Sequence, residues 1–302
     1  MRQLYSKPII NMKTRNILSF ASLMAIAVVI FATACNKSNS YESAKGQQSI
    51  SLYLTDGPGL FDKVLLDIKS VKVLVDTTKD TRRNDNSNWN SMGANDRKKD
   101  SGFVWHELAI KAGIYDLLQL RNGTDTLLAE SSITKGSIRL IKIELGTNNS
   151  VVKDSISYPV SLPVGAESFV LIKTKGHEYD EYLPGRHRLW LDFDVARSIV
   201  QERNGVFYLR PVFHFFTKKH SGNIVGKITP QRDAKAVVTI YNATDTAYAL
   251  PTPEGYFNVR CLKDGTYSVF VNATSPYSDT TITNVVVTAP KETSLGLITL
   301  KK

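Results

Sequence analysis

Ile50, Leu52 and Leu54 alternate with Ser51, Tyr53 and Thr55, and this period of two recurs along most of the 302-residue chain. Apolar residues at every second position form one face of a strand, so the pattern commits the chain to half-buried sheets. Thr55-Asp-Gly-Pro-Gly59 ends the first run, because Gly and Pro supply the dihedrals of a reversal. In the next run Val64, Leu66 and Ile68 share a face, whereas Val71, Val73 and Val75 have the opposite parity. That slip near Lys69-Ser70 predicts a β-bulge, since one extra residue returns the apolar set to the inner face. Phe103 to Trp105, Ile138 to Leu145, Val151 to Val160, Phe169 to Thr174, Arg188 to Val195 and Val206 to Phe216 read as further strands. Ile114 to Leu120 reads as one short helical piece, ahead of a tight turn at Asn122-Gly123. Residues 76–101 are polar and charged around a lone Trp89, which predicts a disordered loop that buries too little to offset its ordering entropy.

The N-terminal stretch has a different texture. Met12-Lys-Thr-Arg15 precedes an uncharged apolar run from Ile17 to Ile30, then Phe31-Ala-Thr-Ala-Cys35. Cations, a greasy core and small residues in that order are the layout of a secretory signal peptide. The segment resembles a bacterial lipoprotein signal, in which small residues stand directly before the cysteine that is acylated and becomes the first residue. The resemblance implies a membrane-lipid anchor on Cys35, a signal over residues 1–34, and Met1 or Met12 as the start. A transmembrane anchor is the competing reading, since Ile17 to Ala34 approaches the length of a span. Ser19, Ser22 and Thr33 dilute it, and Asn36-Lys-Ser-Asn-Ser follows as a polar tether over residues 35–47.

Without its first 34 residues the chain keeps 34 cations against 28 anions, and no five like charges are adjacent. Nothing in this spread forms a nucleic-acid arm, so nucleic acid is not an expected partner. Of two cysteines, an acylated Cys35 leaves Cys261 without an intrachain partner, and neither a disulfide framework nor a metal knuckle is expected.

Leu54-Thr-Asp-Gly-Pro58, Asp116-Leu-Leu118 with Leu120 and Asn122-Gly123, Leu191-Asp-Phe-Asp194 before Arg197-Ser-Ile-Val200, and Tyr208-Leu-Arg-Pro211 occur in one order. In these motifs residues 48–217 resemble domain of unknown function 4382, found in secreted and lipid-anchored prokaryotic proteins, which implies a β-sandwich-like extracellular module and no particular chemistry. Residues 218–302 have short strands and frequent turns with no helical pattern. Their Gly255-Tyr-Phe257 and Asp264-Gly-Thr-Tyr267 turns, with Asn223 to Pro230 and Leu295 to Ile298, are similar to a carboxypeptidase regulatory-like domain of the transthyretin-like and carbohydrate-binding-like class. The expected architecture is therefore all-β, two β-sandwich-like domains in tandem with at most one short helix in the first.

Candidate chemistry is sparse. Asp192 and Asp194 lie two apart and project with Trp190 to one strand face, near Arg188, Arg197 and Arg210. Carboxylates beside an indole can hold calcium or a sugar, or act as a glycosidase-like acid pair. Salt-bridging to the arginines is the simpler expectation. His177, Glu178, Asp180, Glu181 and His187 crowd one connection without the spacing of a helical zinc motif, so a solvated turn is the expectation there and no metal is assigned. Gly222 to Lys227 falls one residue short of a phosphate loop and opens a strand. Tyr241, Tyr248, Tyr256, Tyr267, Tyr277 and the tryptophans can form a stacking platform for glycan rings, although packing explains most aromatics in strands. These readings point to a non-enzymatic, lipid-anchored envelope protein, without cofactor, that binds polysaccharide or another envelope protein. A hydrolase using Asp192 and Asp194 and a fimbria-like subunit are the alternatives.

Overall fold

The computed structural model describes residues 46–56, 61–78, 102–174 and 185–302. Cys35 and the span 79–101 lie outside these residues, as do His177, Glu178, Asp180 and Glu181.

The N-terminal body contains β1 (Gln47–Asp56), β2 (Lys63–Asp76), β3 (Phe103–Glu107), β4 (Gly113–Asp116), β5 (Thr126–Thr134), β6 (Ser137–Leu145) and β7 (Ser150–Lys153). It continues through β8 (Ile156–Ser161), β9 (Phe169–Lys173), β10 (Arg186–Phe193), β11 (Ile199–Gln201), β12 (Phe207–Leu209) and β13 (Phe213–Phe216). One sheet runs β13-β10-β1-β5, with β1 and β10 parallel. The facing sheet runs β11-β12-β8-β7-β2-β6-β9, and β3 and β4 also pair with β2. Ile50, Leu52 and Leu54 of β1 and Leu189, Leu191 and Phe193 of β10 bury their row against Val71, Val73 and Ile143 in one core. Each large side chain so buried contributes roughly 1.5–3 kcal/mol before entropic costs.

The expected slip in β2 is present: pairing with β6 shifts register between Ile68 and Ser70. The segment from Val151 to Val160, read as one strand, is a hairpin instead. It turns at Asp154 and Ser155, which adopt φ values of +52° and +65°. Asp reaches this left-handed conformation at lower cost than most residues, so the turn needs no glycine. The segment from Val206 to Phe216 likewise breaks at Arg210-Pro-Val212 into β12 and β13. The expected helical piece is half strand: β4 ends at Asp116, and only Leu117–Leu120 forms a 3-10 turn. A single-turn helix, α1 (Val195–Ser198), follows β10.

The C-terminal body contains β14 (Gly222–Thr229), β15 (Val237–Tyr241), β16 (Thr246–Ala249), β17 (Tyr256–Leu262), β18 (Gly265–Asn272), β19 (Thr280–Val287) and β20 (Glu292–Thr299). They form two sheets, β17-β14-β20 and β16-β15-β18-β19, around a second core with Ile224, Val238, Phe257 and Tyr267. A one-turn helix absent from the sequence expectation, α2 (Gln231–Ala234), closes after cis-Pro230. Tyr267 is buried in this core and is no stacking platform, whereas Tyr241, Tyr248 and Tyr256 are exposed. Both bodies lie within one compact unit, Ser43–Lys302. Among the described residues no helix is long and apolar enough to cross a membrane.

Candidate functional site

The two bodies meet where β13 packs on β17, and a cavity of about 550 Å³ opens there, lined also by the ends of β1 and β10 and by β16. Asp56, Asp192, Asp194 and His214 line it from the N-terminal body, and Tyr248 and Arg260 from the C-terminal one. Local structure explains how each arrives. Thr55, buried at the end of β1, donates from Oγ1 to the carbonyls of Leu120 and Thr124 at 3.1 and 2.9 Å, which holds the turn carrying Arg121, Asn122 and Gly123 at the cavity rim. On β17 the pairing with β14 slips between Gly222 and Ile224, and Cys261 takes a φ of +64°. This bulge redirects Arg260, since an extra residue re-aims the side chains beside it.

Arg260 then fastens the seam. Its Nη1 donates to Asp125 Oδ2 at 2.8 Å, its Nη2 donates to the Gly123 carbonyl, and Asn122 Nδ2 donates to the Leu250 carbonyl at 3.1 Å. The same Asp125 oxygen accepts from Trp190 Nε1 at 3.0 Å. Trp190 is only 3% exposed, stacks on Tyr53 at 5.0 Å and is covered by Lys218. Its ring is therefore a joint between strands, and the glycan-platform role is not open to it.

The structure separates the two sequence-selected carboxylates. Strand β10 ends at Phe193, so Asp192 is a strand residue and Asp194 caps α1, accepting from Arg197 N at 3.0 Å. Asp194 Oδ2 also meets Arg197 Nη1 at 3.3 Å and His214 Nε2 at 3.6 Å. Burial alone pushes this carboxyl up, but the hydrogen bonds from His214 and Arg197 and their charges outweigh it and hold the group below the usual carboxylate range. The His214 imidazole is correspondingly raised, first by its bond to Asp194. Asp194 thus fits the salt-bridged expectation.

Asp192 does not. It pairs with Thr55 and His214 across the sheet, yet its carboxylate has neither a hydrogen bond nor an ion pair to any described residue. Burial pushes it up to about 6, against the pull of His214 and with the repulsion of Asp194. Arg210 is exposed, its backbone N bonds Ser198 O, and it forms an ion pair with neither aspartate. His187 lies in β10 opposite Ile50, away from this cavity's lining.

A third carboxylate is one that sequence reasoning missed. Asp56 has the parity of Ile50, Leu52 and Leu54, so the end of β1 turns it inward, and it is 6% exposed. Neither of its oxygens has a hydrogen-bond partner among the described residues. Burial first, then the charges of Asp192, Asp194 and Asp116, raise it well above the ordinary value, with Arg121 opposing. An uncompensated buried carboxyl of this kind costs several kcal/mol, roughly, if forced to ionise. Its signal in the sequence is an acid in phase with an apolar row. Cys261 is a free thiol whose ionisation burial strongly suppresses, and it is unsuited to nucleophilic work. Among the described residues no three His, Cys, Asp or Glu side chains converge on a metal position.

Fold and site together define an all-β protein of packed sheets with a polar seam cavity. Residues 47–211, more than half of the chain, match the family described as "Domain of unknown function (DUF4382)", and the chain belongs to that family. No curated protein matches it. Among solved structures it is similar to a type II cohesin-X-dockerin complex from Acetivibrio cellulolyticus, at 26% identity and a TM-score of 0.22. That likeness covers 26% of this chain and 56% of the other, so it spans about half of that relative's length. It is also similar to GBS52, the minor pilin of Streptococcus agalactiae, at 13% identity and a TM-score of 0.21, over 83% and 95% of the two chains. The shaft pilin SpaA of Lactobacillus rhamnosus GG aligns at 12% identity and a TM-score of 0.21, over 84% and 98%.

Proposed function

We propose that this protein is a lipid-anchored component of the bacterial envelope, held to its membrane through Cys35, that binds a ligand in the seam cavity without turning it over. Residues 48–217 supply the ligand-presenting body, and residues 218–302, read as a carboxypeptidase regulatory-like spacer, complete the cavity wall. The observation that carries this reading is the contrast between Asp194, whose partners are all structural, and Asp192 with Asp56, which face the cavity without any. Folding leaves such groups unpaired at a cost, and sites built for ligands are where that cost is commonly kept. Glycan or another envelope protein is the partner class. Full-length protein in detergent micelles, screened on glycan and envelope-protein panels, is expected to give a binder that Asp192→Asn loses. Panels without a binder, or binding untouched by that change, would overturn the reading. Labelled palmitate is expected in the wild type and absent from Cys35→Ser.

One observation favours hydrolysis as a second reading. Asp192 is raised to about 6 while Asp194 is lowered, and environments that push two carboxyls apart assign an acid and a base. Turnover of glycoside or ester substrates that is abolished in both Asp192→Asn and Asp194→Asn would establish it over the binding reading.

A further inference from the structure

Three features of the seam cavity bear on what it takes. Two of its anions are without a partner among the described residues: Asp192, partly exposed into the cavity, and Asp56 in the wall beside it, with the residue only 6% exposed. Its arginines are committed elsewhere, and Lys173 and Lys263 line it as exposed residues. Arg260 is bound to Asp125 and Gly123, Arg197 to Asp194, and Arg121 Nε to the Leu118 carbonyl. Finally, about 550 Å³ exceeds what one extended side chain fills, and Tyr248 lines it with an exposed ring.

A divalent metal would suit unpaired carboxylates, but no third ligand group converges with them among the described residues. A neutral hydroxyl would satisfy the oxygens and leave the mutual repulsion of Asp56 and Asp192 in place. An ammonium group does both, because it carries three donors and a compact positive charge. A sugar ring attached to it can use the remaining volume and lie against Tyr248, while its hydroxyls accept from the rim cations.

Resting on the binding reading above, we propose that Asp192, backed by Asp56, is the subsite for the protonated primary amine of an amino sugar. Asp192 makes the direct contact and Asp56 acts as a buried charge behind it. Since the unliganded carboxyls are raised, binding of the cation ionises them and releases protons, so affinity rises with pH while the amine stays charged. The groups that set this dependence are His214, Asp194 and Arg260 around Asp192, and Arg121, Asp194 and Asp116 around Asp56.

The test is calorimetric titration of the full-length protein in detergent micelles with the β-1,4-linked dimer of glucosamine and with its N-acetylated counterpart, in wild type, Asp192→Asn and Asp56→Asn. The free amine dimer is expected to bind about tenfold or more tightly than the acetylated one, since a charge-assisted hydrogen bond is lost on acetylation. Asp192→Asn is expected to remove that preference, Asp56→Asn to reduce it by roughly threefold, and affinity to rise between about pH 5 and pH 7. Circular dichroism of each variant separates lost binding from lost folding, and at about pH 7 Asp192→Glu, which keeps the charge, is expected to restore part of the preference. Equal binding of both dimers, lost in Asp192→Asn, would overturn the amine assignment and leave the cavity a binding site. Stabilisation by calcium chloride but not by the amine would likewise replace it with a metal. Binding of neither dimer overturns the assignment, and together with empty glycan and protein panels it overturns the binding reading as well.

Discussion

Arg260 on β17 reaches across 135 residues of sequence to place Nη1 2.8 Å from Asp125 Oδ2, on an oxygen that Trp190 Nε1 already uses. One carboxylate therefore joins the C-terminal body to the aromatic joint of the N-terminal sheet. Both side chains are about three-quarters buried, so the pair is less screened than a surface bridge. Arg260→Ala is expected to cost about 1–3 kcal/mol, because it leaves a largely buried carboxylate short of a charged partner. Chemical denaturation checks it, with a second expectation: tryptophan fluorescence and far-ultraviolet dichroism, coincident in the wild type, separate in the variant as the bodies uncouple.

Gly255 is a second structural dependency. It sits at a φ of +92°, and a Cβ there would lie 1.9 Å from the Ile228 carbonyl oxygen. Both the positive φ and the overlap oppose any side chain, so Gly255→Ala is expected to destabilise by roughly 2–4 kcal/mol, read from its denaturation midpoint. Rescue by substitutions elsewhere is not expected, because the clash is with backbone.

Stability should depend on pH in a specific direction. Asp192 and Asp56 have folded-state values above the ordinary carboxyl value of 3.8, so their contribution is complete below it and is lost as pH rises toward and past about 6 for Asp192. His214 is raised above 6.5, so its contribution also disappears as pH rises through its folded value. Asp194 is lowered and acts oppositely, losing its contribution only as pH falls. The thermal midpoint is expected to peak between about pH 4 and pH 6 and decline toward about pH 8. Asp192→Asn should flatten that decline and gain about 1–2 kcal/mol at about pH 8, after allowance for the partial exposure of the group. A midpoint that climbs steadily through that range would contradict this.

Asp194→Asn is expected to cost about 1–2 kcal/mol, since the cap on α1 weakens and the pairs with Arg197 and His214 lose their charge. Its cavity binding should persist with a changed pH dependence, since the charge of Asp194 acts on Asp192 and Asp56, which differential scanning calorimetry and titration of one preparation would establish together.

Much of this is legible in the residues themselves. The parity change between Ile68 and Val71 announces the register shift in β2, and Gly255-Tyr-Phe257 announces the turn that precedes β17. The turn at Asp154-Ser155 is not, because it uses residues that tolerate positive φ instead of glycine. At the site, Asp194 and Arg197 are readable as an i, i+3 pair, whereas the orphaned state of Asp192 depends on which arginines point elsewhere in three dimensions. Asp56 reads as part of a turn because its character as an acid outweighs its parity with Leu52 and Leu54. Arg260 and Asp125 meet only through the packing of two separate cores, which no local pattern encodes.

Two carboxyls, Asp56 and Asp192, are held in the seam without partners among the described residues. Carbon-13 resonance titration of aspartate-labelled full-length protein, assigned with Asp56→Asn and Asp192→Asn, measures them directly. The expected result is two carboxyls titrating well above the ordinary range, that of Asp192 at about 6, both moving down when the glucosamine dimer is added. Ordinary carboxyl titration at both positions would contradict the account.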